Sequence, residues 1–74
     1  MRFTSIKSIV EFAQFLVDID YKMNITIEQL KEQLNKLPLK ISSYKAKLMY
    51  YPNVVVFYLC NKGKVILEVL YEKK

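Results

Sequence analysis

Polar residues Lys7, Glu11, Gln14 and Asp18 recur at spacings of four, three and four, which traces one polar stripe along a helix of about residues 5–20. Between them stand Ile6, Ile9, Val10, Phe12, Ala13, Phe15, Leu16, Val17 and Ile19. Apolar positions thus cover well over half of the helix circumference. One sheet face cannot cover so wide a surface, so this helix is expected either to be sandwiched between elements or to contribute to an interface. Ser8-Ile9-Val10-Glu11 matches a capping box, and Thr4 or Ser5 offers an equally good start.

Tyr21 to Ile25 reads as a connector. A second helix is predicted over about 26–37. Thr26 and Gln29 form its capping box, and Ile25 and Leu30 stand at the two positions of a hydrophobic staple. Ile27, Leu30, Leu34 and Leu37 make a narrow apolar stripe, with Glu28, Lys31, Glu32, Gln33 and Lys36 outside it. Pro38 forces the stop, because it pushes Leu37 out of helical geometry.

From Leu39 onward the period changes to two. Three strands are predicted, at about 42–51, 54–60 and 64–72. Pro52-Asn53 supplies a tight turn, with Asn at the position that tolerates positive φ. Asn61-Lys62-Gly63 suits a three-residue hairpin loop closed by Gly in the left-handed region. Closing the first hairpin pairs Tyr50 with Val55, Leu48 with Phe57 and Ala46 with Leu59. Closing the second pairs Leu59 with Val65, Phe57 with Leu67 and Val55 with Val69. All of these fall on one uncharged face. The opposite face receives Lys45, Lys47, Met49, Tyr51, Val54, Val56, Tyr58, Cys60, Lys64, Ile66, Glu68 and Leu70.

The expected fold is therefore α+β: a single small domain, 1–74, with two N-terminal helices packed on a three-stranded antiparallel β-meander (ααβββ). A winged helix-turn-helix is the alternative, with residues 42–51 as recognition helix and 54–71 as the wing. Ile41, Tyr44, Leu48 and Tyr51 do show helical spacing. Against it stand the long turn after the second helix, Lys31 where a small packing residue is usual, and Tyr50-Tyr51 before Pro52, which suits a strand end.

Composition narrows the function. With 53% hydrophobic and 26% charged residues over 74 positions, the chain is no disordered tail. A core of this size supplies only about 3–5 kcal/mol and is commonly reinforced by a disulfide, a metal or a partner. There is no His and one Cys. No intrachain disulfide can form, no zinc site or cofactor is expected, and a homo-oligomer or a larger protein partner remains as reinforcement. The segment after Met1-Arg2-Phe3-Thr4-Ser5 is hydrophobic enough to suggest a leader, but Glu11, Gln14, Asp18 and Asp20 interrupt it. The longest apolar run, Val54 to Cys60, is too short to span a bilayer as a helix, so no membrane partner and a cytoplasmic location are expected. The formal charge of +5 is carried mostly by Lys, in a chain also rich in Ile, Asn and Tyr, and is weak support for a nucleic-acid partner.

No catalytic constellation is visible among Glu11, Asp18, Asp20, Glu28, Glu32, Glu68 and Glu72, so an enzyme is not expected. Cys60 near Lys45 and Lys64 reads as an inert thiol before a nucleophile. The informative feature is the outward sheet face. A solvated face should alternate to polar residues, yet this one carries Met49, Tyr51, Val54, Val56, Tyr58, Ile66 and Leu70. Such a patch marks a protein interface unless the first helix or the C-terminal residues cover it. Lys40, Lys45, Lys47, Lys62 and Lys64 gather around Tyr58, an arrangement that could hold phosphates and stack a base, or could simply keep an edge strand soluble. The leading expectation is a small non-enzymatic binding protein, a regulator, inhibitor or accessory subunit, acting through the sheet face and the first helix as a homodimer. A nucleic-acid-binding protein is the alternative.

Overall fold

The computed structural model describes residues 2–74. In chain order it has α1 (Ile6–Asp18), β1 (Tyr21–Met23), α2 (Ile27–Asn35), a 3-10 turn (Ile41–Ser43), β2 (Lys45–Tyr51), β3 (Val54–Asn61) and β4 (Lys64–Lys73). The strands form one antiparallel sheet in the order β1-β4-β3-β2. The α+β class holds, with four strands in place of three. Residues 42–51 form the 3-10 turn and an edge strand, which rules out the winged-helix reading.

Local chemistry explains the helix starts. α1 begins one turn earlier than Ser8-Glu11 would place it. Ser5 is its N-cap, with the Ser8 N–H donating to Ser5 Oγ (3.1 Å) and the Ser5 N–H donating back to Ser8 Oγ (3.3 Å). That start puts Ile9, Phe12, Ala13 and Leu16 on the buried side. α2 starts as expected: the Gln29 N–H donates to Thr26 Oγ1 (3.0 Å) and the Thr26 N–H to Gln29 Oε1 (2.9 Å). It ends at Asn35, with Lys36 as C-cap, two residues short of Leu37.

The segment read as a connector contains β1. Asp20 turns the chain at φ 80, and Tyr21, Lys22 and Met23 pair with Lys73, Glu72 and Tyr71. Asn24 then ends the ladder with backbone and side chain together: its backbone N–H donates to the Leu70 carbonyl (3.1 Å), and the Leu70 N–H donates to its side-chain Oδ1 (3.0 Å). Lys73 ties the same corner, its ammonium 5.0 Å from the Tyr21 ring centroid.

The first hairpin has the predicted register, Ala46 to Leu59, Leu48 to Phe57 and Tyr50 to Val55, with Asn53 at φ 62 in the turn. Tyr50 nonetheless extends past the core and is exposed. The second hairpin differs. Its loop is the two residues Lys62-Gly63, both at positive φ (51 and 78), and Asn61 pairs with Lys64. These are the signs of a type I′ turn, whose twist matches that of the strands. A bulge between Leu59 and Cys60 in the pairing then inserts Ile66 as an extra residue on β4. Leu59 therefore pairs with Leu67, Phe57 with Val69 and Val55 with Tyr71, while Val65 pairs with Cys60 and so shares its outward face. The shorter loop and the bulge each move the register by one, so Leu67, Val69 and Tyr71 still point inward.

Both helices pack on the inward face. The core joins Ile9, Phe12, Ala13 and Leu16 of α1 and Leu30 and Leu34 of α2 to the inward side chains of β3 and β4, with Phe3, Ile41 and Tyr44 closing its rim. Tyr44, expected within a strand, caps the 3-10 turn, and the Leu39 N–H donates to its hydroxyl oxygen (3.3 Å). Phe12 meets Tyr71 edge to face at 6.0 Å, and Phe3 meets both Phe12 (5.3 Å) and Phe57 (5.2 Å) in the same way. α1 is not sandwiched. Its far side is open, leaving Phe15 55% and Ile19 42% exposed.

The Tyr71 hydroxyl is fully buried and has no hydrogen-bond partner. Burial pushes its ionisation far above the ordinary value of 10.0. An unsatisfied buried hydroxyl costs about 1–3 kcal/mol, so Tyr71→Phe is expected to raise the melting temperature, by roughly 4–8 °C for each kcal/mol recovered. The pH sign is fixed as well. Above about pH 10 the unfolded chain loses this proton and the folded chain keeps it, so stability falls as pH rises, by up to about 1.4 kcal/mol per unit from this residue. Denaturant melts between pH 9 and 12 (roughly the span in which free tyrosine ionises) should show a shallower alkaline decline in Tyr71→Phe. Equal slopes in the two proteins would contradict this assignment.

Candidate binding face

The outward sheet face is built in rows of cross-strand neighbours. From the turn at Pro52-Asn53 toward the turn at Lys62-Gly63, these are Tyr51–Val54–Glu72–Lys22, then Met49–Val56–Leu70, then Lys47–Tyr58–Glu68, then Lys45–Cys60–Val65. Across β2 and β3 the first two rows are apolar, with Glu72 and Lys22 at the β4–β1 end of the first, and the last two rows hold Lys45 and Lys47. Strand alternation alone puts these side chains together, since every second residue of a strand faces the same side.

No helix covers this face. Among the described residues sixteen hydrophobic side chains are buried, and fifteen of them form the core between the helices and the sheet. The remaining one is Val56, 5% exposed at the middle of the outward face. It sits between Met49 and Leu70 in its row. Around it Met49 is 42% and Tyr51 52% exposed. The predicted interface residues Met49, Tyr51, Val54, Val56, Tyr58 and Leu70 thus share one surface. Ile66 stands at the bulge, outside the regular pairing, and is exposed. α1 lies across the sheet from this surface, so it cannot complete the same patch; its exposed Phe15 belongs to the opposite side of the molecule.

At the lysine end the face sinks into a shallow open concavity of about 590 Å³. Lys45, Lys47 and Lys62 line it with Tyr58 and Cys60, and Met49, Gly63 and Val65 complete the walls. Of the predicted basic cluster, Lys40 and Lys64 do not line it: Lys40 precedes the 3-10 turn and Lys64 pairs with Asn61 on the hairpin rim. Val65 is the addition that sequence reading assigned to the core, and the two-residue loop is what turns it outward by pairing it with Cys60.

Tyr58 lies between Lys47 and Glu68. Its hydroxyl ionises above the ordinary value of 10.0, through desolvation first and the negative charge of Glu68 second, with smaller effects from Tyr51 and Cys60. The ring is therefore neutral throughout the physiological range. Neither Glu68 nor any lysine of this face belongs to an ion pair among the described residues; the two ion pairs, Lys31–Glu28 and Lys36–Glu32, lie on α2. The lysine charges are open to a ligand.

Among the described residues no three His, Cys, Asp or Glu side chains come together as a metal site, and no helix is long and apolar enough to cross a membrane. Comparison with protein-family models, with curated proteins and with solved structures finds no match to this chain.

Replacing Glu68 by Gln removes the negative charge facing Tyr58. The Tyr58 ionisation should fall toward 10.0 without reaching it, because desolvation, the larger cause, remains. Ultraviolet titration of E68Q against E68Q/Y58F isolates this one phenol, and an unchanged or raised midpoint would contradict the placement of Glu68 beside it.

Proposed function

We propose that this protein is a small non-enzymatic binding module, a regulator or accessory subunit, that pairs through its outward sheet face with a second copy of itself. The observation that carries the reading is the apolar patch around Val56, with Met49 and Tyr51 exposed, on a face that no helix of the described residues covers. Exposed apolar patches of this kind are characteristic of interfaces. A sheet face left bare also suits a chain of 74 residues with no disulfide, which gains stability from association.

Charge selects how two copies meet. Lys45, Lys47 and Lys62 crowd one end of the face, and the apolar rows of Val54 and Val56 lie toward the other. A two-fold axis near Val54 and Val56 stacks the apolar rows on each other, in the self-complementary manner of an isologous dimer. It also holds the two lysine ends at opposite extremes. Stacking in the same direction would set lysine against lysine. Because the apolar rows occupy only about half of the face, the contact falls in the small class of interfaces, below about 1,200 Å² in total, and its occupancy depends on concentration.

Light scattering across a concentration series tests this. The mass should rise from that of one chain, 8.8 kDa, toward twice that value. Met49→Lys and Tyr51→Lys, at two exposed positions of the patch, should each hold the protein at the lower mass with its circular dichroism unchanged. A wild-type protein that stays at 8.8 kDa at every concentration overturns the self-pairing.

A further inference from the structure

We infer that the concavity at the lysine end of the sheet binds single-stranded nucleic acid, with Tyr58 stacking a base and Lys45, Lys47 and Lys62 holding the flanking phosphates. The site adjoins the apolar rows proposed to pair, sharing Met49 with them at its edge, and is complete within one chain. Three ammonium groups and no carboxylate line it. Glu68, next to Tyr58 in its row, is the one acid beside it, and it leaves the lysine end with a clear excess of positive charge.

The geometry favours a single strand. Lys45 and Lys47 stand two residues apart on β2, so they rise from the sheet about 6.6 Å apart, comparable to the repeat of an extended sugar–phosphate backbone. Lys62, in the hairpin loop, lines the same concavity. Tyr58 sits on the adjacent strand, directly opposite Lys47. A backbone that tracks β2 can therefore lay a base toward β3 and onto the Tyr58 ring. Bases stacked inside a duplex cannot present a face to that ring, whereas an unpaired base can. The volume, about 590 Å³, falls within the range of small-ligand sites and suits one nucleotide unit rather than a helix. Gly63, with no side chain, keeps the loop side low. The absence of Arg from the lining argues for binding through phosphate and stacking, with little choice among bases.

Fluorescence anisotropy with a labelled oligothymidylate tests the inference, at protein concentrations where light scattering reports one chain, so that the result does not depend on self-pairing. Binding is expected at low salt and should weaken as salt rises. Lys45→Ala, Lys47→Ala and Lys62→Ala should each reduce the slope of log affinity against log salt by about 0.7. Tyr58→Ala should weaken single-strand binding by about tenfold to a hundredfold, while Tyr58→Phe, which keeps the ring, should bind like wild type. Cys60 is the only thiol and lines the same concavity. Its reaction with a thiol reagent should slow when the oligonucleotide is bound. No binding at low salt, equal binding by Tyr58→Ala, or an unprotected Cys60 would each overturn the inference. Inorganic polyphosphate binding as tightly as the oligonucleotide would likewise reduce the site to a polyanion surface and overturn the role of Tyr58.

Discussion

Edge-to-face aromatic contacts hold the helical layer to the sheet. Phe12 of α1 stands against Tyr71 of β4, and Phe3 bridges Phe12 to Phe57 of β3. The rest of the fold is arranged to deliver these four rings to one place. Ser5 starts α1 at the turn that aims Phe12 inward. The bulge at Ile66 restores the alternation that a two-residue loop had displaced, so that Tyr71 points to the same side as Phe57. β1 then pairs along the end of β4, with Met23 opposite Tyr71, whose buried hydroxyl has no partner. Ring packing and burial of apolar surface outweigh that one unsatisfied group, which costs only about 1–3 kcal/mol.

Placing both helices on one side determines what the other side can do. Two short helices cannot cover both faces of a sheet, and these cover the inward one. The outward face is left with an apolar half around Val56 and a basic half around Tyr58. The two halves differ in the partner chemistry they suit, since one calls for apolar surface and the other for negative charge. Strand alternation keeps them side by side, and the two-residue loop adds Val65 to the wall of the concavity by pairing it with Cys60.

Much of this was legible in the chain because it depends on neighbouring residues. Pro52-Asn53 and strict alternation determine the first hairpin, and Thr26 with Gln29 determines the start of α2. β1 was not legible: three residues make a strand only when Lys73, Glu72 and Tyr71 arrive from the far end of the chain, and Tyr21-Lys22-Met23 carries no signal beyond its alternation after a positive-φ Asp20. The second hairpin was ambiguous for another reason. Asn61-Lys62-Gly63 fits both a three-residue loop and a two-residue one, and the shorter loop requires Lys62 at φ 51, a conformation a lysine seldom adopts. The candidate site shows the same division. Lys45, Lys47 and Tyr58 follow from the first hairpin, whereas Lys64 and Val65 depend on the second and were misplaced.

The pairing of β1 with the last strand has a consequence for synthesis. Residues 21–23 leave the ribosome long before residues 71–73, yet neither segment has a strand partner on that edge without the other. Until Tyr71 emerges, Phe12 has Phe3 beside it but lacks the sheet ring it packs against. The nascent chain must therefore carry an apolar first helix with its sheet unfinished. In that interval Phe12 and Leu16 are exposed together with Phe15, and the chain is at its most open to capture by a chaperone or by another nascent copy. A chain halted before residue 71 lacks the strand partner of β1 and the Tyr71 ring against which Phe12 packs, and so holds an incomplete surface for its first helix.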